Sequence, residues 1–160
     1  MKIPLMILAF ASAALFTLYY VPLSPAPSLN TLSQERIAVP YVAVGAAKIL
    51  VEMAEDEAAW RKGLSGRESL GRDKGMLFLF PKPDLWRFWM PDMHFPLDII
   101  WIGTDKVAGI TPDVPPESNP AAPRFYRPPK PVRYVLEVNA GFAKEHGIAA
   151  GDAITFYNID

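Results

Sequence analysis

Short apolar runs separated by turn residues constrain the fold of this chain more than any other feature of its sequence. The run from Met76 to Phe80 is apolar at every position, and Pro81 and Pro83 follow it. A run of this length between turn residues is typical of a strand that is buried on both faces. The pattern therefore predicts a mainly β domain, with the two prolines ending this strand.

Further strands follow from alternating or continuous apolar runs. They are predicted at residues 48–54, 87–90, 97–102, 106–110, 132–138 and 153–157. Asp56 can cap a short helix that ends at Gly66, and a second short helix is predicted at residues 142–146, before Gly147. Many short strands with one or two short helices indicate a compact sandwich or small barrel.

A proline-rich stretch interrupts these elements. Residues 111–131 contain eight prolines and almost no apolar periodicity, which predicts a loop. A structureless loop of about 20 residues is uncommon inside a compact domain and is often functional or disordered. The sequence leaves open whether this loop is a lid over a site or a tether.

The N-terminus carries a separate hydrophobic segment. Residues 3–21 are uncharged and almost wholly apolar, and about 20 such residues suffice for a helix to cross a bilayer. Residues 1–23 are therefore predicted to form a hydrophobic helix that is a membrane anchor, or a signal peptide cleaved near Ala11-Ser12-Ala13. Tyr19 and Tyr20 favour the anchor, because tyrosine is enriched at membrane interfaces.

The residues on either side of this segment predict where the domain lies. Lys2 precedes the apolar run and the next basic residue is Arg36, so the positive-inside bias keeps the N-terminus in the cytoplasm. Residues 24–40 are polar and proline-rich, which favours an extended spacer. The single β-rich domain, residues 41–160, is thus expected on the periplasmic side of the inner membrane, anchored through residues 3–21, or free in the periplasm after cleavage.

Composition excludes several classes of function. The formal net charge is -1, and basic residues are interleaved with acidic ones, which argues against a nucleic-acid partner. There are no cysteines and only two histidines, so a disulfide, a Cys nucleophile and a three-His zinc site cannot form. No P-loop and no G-x-S-x-G motif is present. The sequence identifies no catalytic residues and no cofactor, and it specifies no protein partner.

Two carboxylates lie inside apolar strands. Asp98 follows Leu97 in one predicted strand, and Glu137 follows Leu136 in another. A charge in an apolar strand is costly unless it is paired or exposed. One interpretation is that each acid faces solvent or pairs with an arginine such as Arg67 or Arg133. The other is that both acids share a polar pocket with Arg67, where they would bind a polar ligand as ionised groups.

A cluster of soft side chains is the second candidate site. Met90, Met93 and His94 offer two thioethers and an imidazole, the ligand types that suit Cu(I). Trp89 adds an aromatic face that can contact a cation. The alternative is that these methionines and the tryptophan fill the hydrophobic core, which is their commoner use.

Segments throughout the domain together resemble one family, the domain of unknown function 192 group. In chain order they are Glu52–Ala54, Arg61–Arg67, Lys74–Phe78, Phe88–Met90, Phe95–Ile100, Val135–Gly141 and Gly147–Asp152. The resemblance spans residues 44–157 and implies a compact β-rich fold, often behind an export signal. It implies no established activity.

The recurrent residues of that family map onto nine positions of this chain. They are Arg67, Gly75, Met76, Trp89, Met90, Pro96, Asp98, Glu137 and Gly141. The chain departs from the family pattern at residues 91–93 and at His94. These departures weaken a copper site that depends on Met93 and His94.

These observations lead to one functional hypothesis and two alternatives. The leading hypothesis is a periplasm-facing, non-catalytic binding or accessory module for a small polar ligand such as a sugar or a cell-wall fragment. Its expected pocket is lined by Arg67, Trp89, Met90, Asp98 and Glu137. The first alternative is a two-carboxylate hydrolase with Asp98 and Glu137 as acid and base, which must then flank one cleft. The second is Cu(I) binding through Met90, Met93 and His94.

Overall fold

A computed structural model of the chain describes residues 39–159. The predicted hydrophobic helix, its alternative cleavage site and nearly all of the predicted spacer lie outside these residues. Within the described range, no helix combines the length and the apolar character that crossing a membrane requires.

Seven strands and two short helices make up residues 39–159. The strands are β1 (Tyr41–Val44), β2 (Ala47–Ala54), β3 (Lys74–Asp84), β4 (Leu97–Ile102), β5 (Val107–Val114), β6 (Val132–Asn139) and β7 (Ile154–Tyr157). The helices are α1 (Glu57–Lys62) and α2 (Phe142–Glu145). The predicted mainly β class is confirmed.

All seven strands belong to one sheet, in the order β5-β4-β6-β3-β2-β1-β7. Neighbouring strands are antiparallel except β2 and β3, which run parallel. A parallel pair needs a long crossover connection, and residues 55–73, which include α1, supply it. This crossover places α1 beside the sheet, where it later forms one wall of the candidate site.

The sheet curls so that its two edges approach each other. Lys106, just before β5, forms an isolated bridge with Ala153, just before β7. The backbone N–H of Ile154 also donates to the carbonyl of Asp105 at 2.8 Å. The domain is therefore a single sheet rolled into a half-barrel with two short helices. The expectation of a sandwich or small barrel is correct only in its β character and its curvature.

Apolar side chains cover both faces of this sheet. On the inner face of the curl, a cluster joins residues from every strand, including Val107 and Ile154 at opposite edges. On the outer face, a second cluster joins the central strands to α1 and to the segment that follows β3, through Leu64 and Phe88 among others. The alternation of side chains along each strand assigns every strand residue to one of these two faces.

Local differences from the predicted elements have identifiable causes. Helix α1 begins as expected, with the Asp56 carboxylate accepting from the N–H of Ala59 at 2.8 Å. It ends at Lys62 rather than at Gly66, because Gly63 adopts a positive φ of 46° and caps it. Strand β3 continues through its prolines to Asp84. Its register with β6 is irregular between Leu79 and Asp84, so the strand tolerates residues that lack a backbone N–H to donate.

Two further predictions of local structure are wrong. Residues 87–90 form no strand, and only Phe88 pairs, through an isolated bridge with Tyr126. Strand β5 extends to Val114, so the proline-rich loop begins after that residue. The shared cause is tertiary pairing: β4 offers a partner to residues 111–114, whereas residues 87–90 gain only the single bridge.

Candidate functional site

A cavity of about 620 Å³ opens on the outer face of the sheet. Helix α1 and the residues after it form one wall, strands β3 and β6 form the floor, and the segment 86–93 closes the other side. Its lining is mostly aromatic, aliphatic and thioether: Trp60, Leu64, Phe78, Phe80, Trp86, Phe88, Trp89, Met90, Pro91 and Met93. Its polar and charged lining residues are Glu57, Arg61, Lys62, Ser65, Arg87 and Glu137, beside Gly63.

An aromatic stack holds the wall of the cavity in place. The rings of Phe80 and Trp86 stack at 4.1 Å with an interplanar angle of 13°, and Trp60 packs against Phe80 at 5.0 Å. The indole N–H of Trp60 donates to the carbonyl of Ala54 at 2.9 Å, which ties α1 to the end of β2. A wall with so many fixed ring contacts is preformed, which is the usual condition of a ligand site.

Trp86 carries a polar group that this packing leaves unpaired. Its indole Nε1 is buried and has no hydrogen-bond partner among the described residues. Buried tryptophan N–H groups usually have a partner. This indole N–H is therefore a buried donor that residues 39–159 leave unpaired.

Glu137 forms the polar part of the floor. Cross-strand pairing places it between Met76 of β3 and Ile99 of β4, in the middle of the apolar outer face. Its side chain is 5% exposed, and its carboxyl group has no hydrogen-bond partner within residues 39–159. Burial raises the pKa of Glu137 to about 8, because the ionised form loses its hydration and gains no counter-charge. The carboxyl group is thus mostly protonated at neutral pH.

The mouth of the cavity is basic and aromatic. Lys62 and Arg87 contribute positive charge, while Arg61 pairs with Glu57 one helical turn away. The guanidinium of Arg87 lies over the ring of Phe125, 4.9 Å from its centroid. Trp89 is 41% exposed and its ring lies 6.2 Å from that of the same phenylalanine.

Asp98 lies on the other face of the sheet. In the register of β4 with β6, Asp98 pairs with Val138 while Ile99 pairs with Glu137, so the two carboxylates point in opposite directions. Asp98 is fully buried and accepts from the backbone N–H groups of Asp113, Gly141 and Ala143 at 2.9–3.1 Å. Its carboxylate therefore joins β5 to the start of α2 and does not reach the cavity.

This geometry contradicts the acid and base assignment of the first alternative. Glycoside hydrolysis by two carboxyl groups requires both to flank one bond of the substrate. Asp98 and Glu137 lie on opposite faces of a packed sheet, so no single cleft contains them. The predicted acid–base pair is wrong, because a separation of one residue in cross-strand register reverses the direction of a side chain.

Arg67 is also held away from the cavity. Its guanidinium forms a bidentate ion pair with Glu52 of β2, with both N–O distances at 2.7 Å. The hydrogen bonds from Arg67 lower the pKa of Glu52. Arg67 is not among the lining residues, so of the five predicted pocket residues the structure brings together Trp89, Met90 and Glu137.

The three candidate copper ligands lie in different surroundings. Met90 and Met93 are buried and line the cavity. His94 is outside that lining, with its Nδ1 3.2 Å from Glu68 and its Nε2 3.8 Å from Asp92. Within residues 39–159, no group of three His, Asp or Glu side chains is placed to hold a metal ion.

Comparison with known proteins supports the resemblance seen in the sequence. The profile of the domain of unknown function 192 family, described as an uncharacterized ACR, matches residues 41–156. This chain belongs to that family.

Two solved structures resemble this family member closely. One is a candidate transcription regulator from Sinorhizobium meliloti 1021, with a TM-score of 0.67 and 29% identity over 74% of this chain and 95% of the other. The second is a protein of unknown function from Novosphingobium aromaticivorans DSM 12444, with a TM-score of 0.66 and 35% identity over 72% of this chain and 83% of the other. No curated protein matches the chain significantly.

The sequence analysis did not identify most of the residues that form the cavity wall in this family member. Trp60, Phe80 and Trp86 come from three separate segments, and only the crossover through α1 brings them together. One signal was present: Phe78 and Phe80 are two residues apart in a strand and therefore share a face. No sequence pattern identifies the basic residues of the mouth as site residues, because α1 and the segment after β3 that carry them are far apart in the chain.

Proposed function

We propose that this protein is a non-catalytic binding module that faces the periplasm from the inner membrane. In this proposal its ligand is a small polar molecule with an apolar ring or body, such as a sugar or a cell-wall fragment. The observation that carries the proposal is the preformed aromatic cavity with the unpartnered carboxyl group of Glu137 in its floor. The anchor and the periplasmic location come from the sequence of residues 1–40.

The size and lining of the cavity support binding of a small molecule. Ligand sites typically measure about 300–1,000 Å³ and combine an apolar lining with a few placed polar groups. This cavity falls within that range. In its floor the carboxyl group of Glu137 has no hydrogen-bond partner among residues 39–159. A ligand that supplies such a partner gains a hydrogen bond at little cost in protein rearrangement.

The chemistry of the cavity favours binding over catalysis. Asp98 lies across the sheet from Glu137, and Glu52, on the same face, is separated from it by Met76 and paired with Arg67. A single buried and mostly protonated acid can donate a hydrogen bond to a ligand oxygen. The exposed ring of Trp89 at the mouth provides an apolar face against which a sugar ring can lie.

A ligand screen tests the proposal directly. The full-length chain is placed in lipid nanodiscs, because residues 3–21 are apolar, and empty nanodiscs are the blank. Saturation-transfer NMR is then recorded with a panel of monosaccharides, disaccharides and soluble cell-wall fragments. We expect at least one ligand to bind, and Trp89→Ala to weaken that binding about tenfold by removing an aromatic contact at the mouth.

The matched control is Tyr157→Ala. Tyr157 is another exposed aromatic residue, but it lies in β7 against Tyr41 and away from the cavity. Its substitution is expected to leave ligand binding unchanged. A screen in which the whole panel fails to bind, with the protein shown to be folded by circular dichroism, contradicts the proposal.

A further inference from the structure

The charged side chains that line the cavity are mostly of one sign. Arg61 and Lys62 come from α1, and Arg87 comes from the segment after β3, whereas Glu57 is the single acid of the mouth. Glu57 is paired with Arg61. Lys62 and Arg87 therefore remain as cations whose charge no acid of the lining offsets.

The floor of the cavity also presents a donor. Burial keeps Glu137 protonated at neutral pH, and a protonated carboxyl group donates one hydrogen bond. No charged side chain faces Glu137 from β3 or β4, where its neighbours are Met76 and Ile99. From the remaining sides the charged lining groups are those of the mouth, named above.

Asp92 lies close to Lys62, since a Cβ on Gly66 would be 3.2 Å from Asp92 Oδ2 and 3.4 Å from Lys62 Nζ. The remaining charged groups nearby are engaged elsewhere. The Arg67–Glu52 pair lies on the same face of the sheet as Glu137, but Met76 separates Glu52 from it in the cross-strand row. Asp98 points to the opposite face. The groups of the cavity without a nearby acid or acceptor are thus the cation Arg87 at the mouth and a donor in the floor, and both call for negative charge or hydrogen-bond acceptors.

We propose that the ligand is an acidic sugar, whose carboxylate contacts Arg87 at the mouth while a ring oxygen or hydroxyl accepts from Glu137 in the floor. This inference rests on the proposed function and specifies its ligand class. A neutral sugar leaves Arg87 without an anionic partner. An amine must ionise a buried carboxyl group and lie near Arg87, and both are unfavourable.

Matched sugars that differ in one group test the inference. Affinities of the full chain in nanodiscs are measured by isothermal titration calorimetry for glucuronic acid, glucose and glucosamine, which carry a carboxylate, a hydroxymethyl group and an ammonium group. N-acetylmuramic acid and N-acetylglucosamine form a second pair, in which the carboxylate is on an ether side chain. We expect the acid to bind about tenfold more tightly than the neutral sugar in at least one pair, and the favoured pair identifies the position of the carboxylate.

Substitutions at the mouth separate charge from packing. Arg87→Gln is expected to lower affinity for the acid about tenfold, and to lower affinity for the neutral sugar by a much smaller factor. Arg87→Lys restores much of the loss, because it returns the charge. Arg133→Gln is the control, since Arg133 lies over Tyr134 and outside the cavity lining.

The pH profile tests the part played by the floor. If Glu137 donates to the ligand, affinity falls about tenfold per pH unit once the pH exceeds the pKa of that carboxyl group. Glu137→Gln has no ionisable group there, so its affinity should not change between pH 7 and pH 9. Circular dichroism at each pH shows that every variant is folded.

Each outcome decides between the two proposals. Preference for the acid, with the Arg87 and pH effects, supports the inference. Equal binding of acid and neutral sugar, or tightest binding of the amine, overturns it and leaves the proposed binding function standing. Failure of all five sugars and of the wider panel removes the proposed function, and the inference with it.

Discussion

Two buried carboxyl groups lie in adjacent strands of this sheet and have opposite surroundings. Asp98 in β4 accepts hydrogen bonds from three backbone N–H groups. Glu137 in β6 has no hydrogen-bond partner among residues 39–159, and burial raises its pKa to about 8. The inner face offers Asp98 backbone donors from α2 and from the irregular end of β5. The outer face offers Glu137 only apolar side chains. A buried acid in a strand can thus stabilise the fold when backbone N–H groups face it, or remain available to a ligand when none do.

The comparison also indicates different roles for the two acids, one in stability and the other in function. A carboxylate with three short hydrogen bonds stabilises the folded state, because losing it strands three buried donors. A buried carboxyl group without partners destabilises the ionised form of the folded state, and a ligand can relieve this cost. We therefore expect Asp98 to matter chiefly for folding and Glu137 chiefly for binding.

The largest expected effect is that of Asp98→Ala. It removes the acceptor of three backbone N–H groups and leaves a cavity in the inner face, so the free energy of unfolding should fall by about 5 kcal/mol. Asp98→Asn keeps one oxygen and should cost about half as much. Urea unfolding of the full chain followed by tryptophan fluorescence measures both. A loss below about 1 kcal/mol for Asp98→Ala contradicts a structural role for this acid.

The pH dependence of stability is the second test. Glu137 ionises near 4.5 in the unfolded chain and near 8 in the folded one. Between these values the unfolded state releases a proton that the folded state retains, so its contribution to stability is fully present below pH 4.5 and is lost as the pH rises towards 8. From pH 5 to pH 7 the contribution falls by about 3 kcal/mol.

Glu137→Gln isolates this contribution. The variant has no proton to release at position 137, so its stability relative to the wild type should increase over that pH interval by the same amount. Because other groups titrate alike in both proteins, the difference between the two curves is the measurement. Parallel curves from pH 5 to pH 7 show that Glu137 is ionised in the folded protein.

Gly75 tests the packing that holds both acids in place. It lies in β3 opposite Val138, and a Cβ at Gly75 would lie 2.8 Å from the backbone oxygen of Glu137. Gly75→Ala must push β6 away, with an expected loss of about 2 kcal/mol in thermal or urea unfolding. Gly103→Ala is the control, since the nearest atom to its Cβ would be at 3.7 Å. Equal stability of the two variants contradicts a close β3–β6 contact.

The smallest expected change in stability comes from breaking the ion pair of Glu52, an acid of β2 on the same face of the sheet as Glu137. Its ion pair with Arg67 is partly exposed, and pairs of this kind contribute about 0.5 kcal/mol. Arg67→Met should lower stability by that amount in dilute buffer and by less at high salt, because salt screens exposed charges. A loss above about 2 kcal/mol, as for a buried ion pair, shows that Arg67 has a further role in the fold.

Local sequence patterns were sufficient to predict those strands and helices whose bounds are set by their own residues. The apolar run 97–102 predicts β4 with its observed bounds, and Asp56 predicts the start of α1. The pattern was insufficient at residues 87–90, where a short strand was expected but only Phe88 pairs, through a single bridge with Tyr126. It also placed the end of β3 too early, because the prolines lie where the ladder is irregular.

The candidate site shows the same division. Trp89, Met90 and Glu137 are identifiable from residue type and a family resemblance, and the structure places all three in one cavity. Arg67 and Asp98 carry equally suggestive chemistry but are engaged elsewhere, by Glu52 and by backbone N–H groups. Residue type cannot distinguish an acid that has partners from one that lacks them, since those partners lie far away in the chain.

The sequence by itself determined the mainly β class, the burial of the run Met76–Phe80 on both faces and the family to which the chain belongs, because these depend on local periodicity and on residues at fixed positions. Only the tertiary structure decided the single curled sheet, the cavity beneath α1 and the face on which each carboxyl group lies. The physical reason is strand register. Glu137 pairs with Ile99, the residue next to Asp98, and neighbouring residues of a strand point to opposite faces, so the two carboxyl groups lie on opposite sides of the sheet.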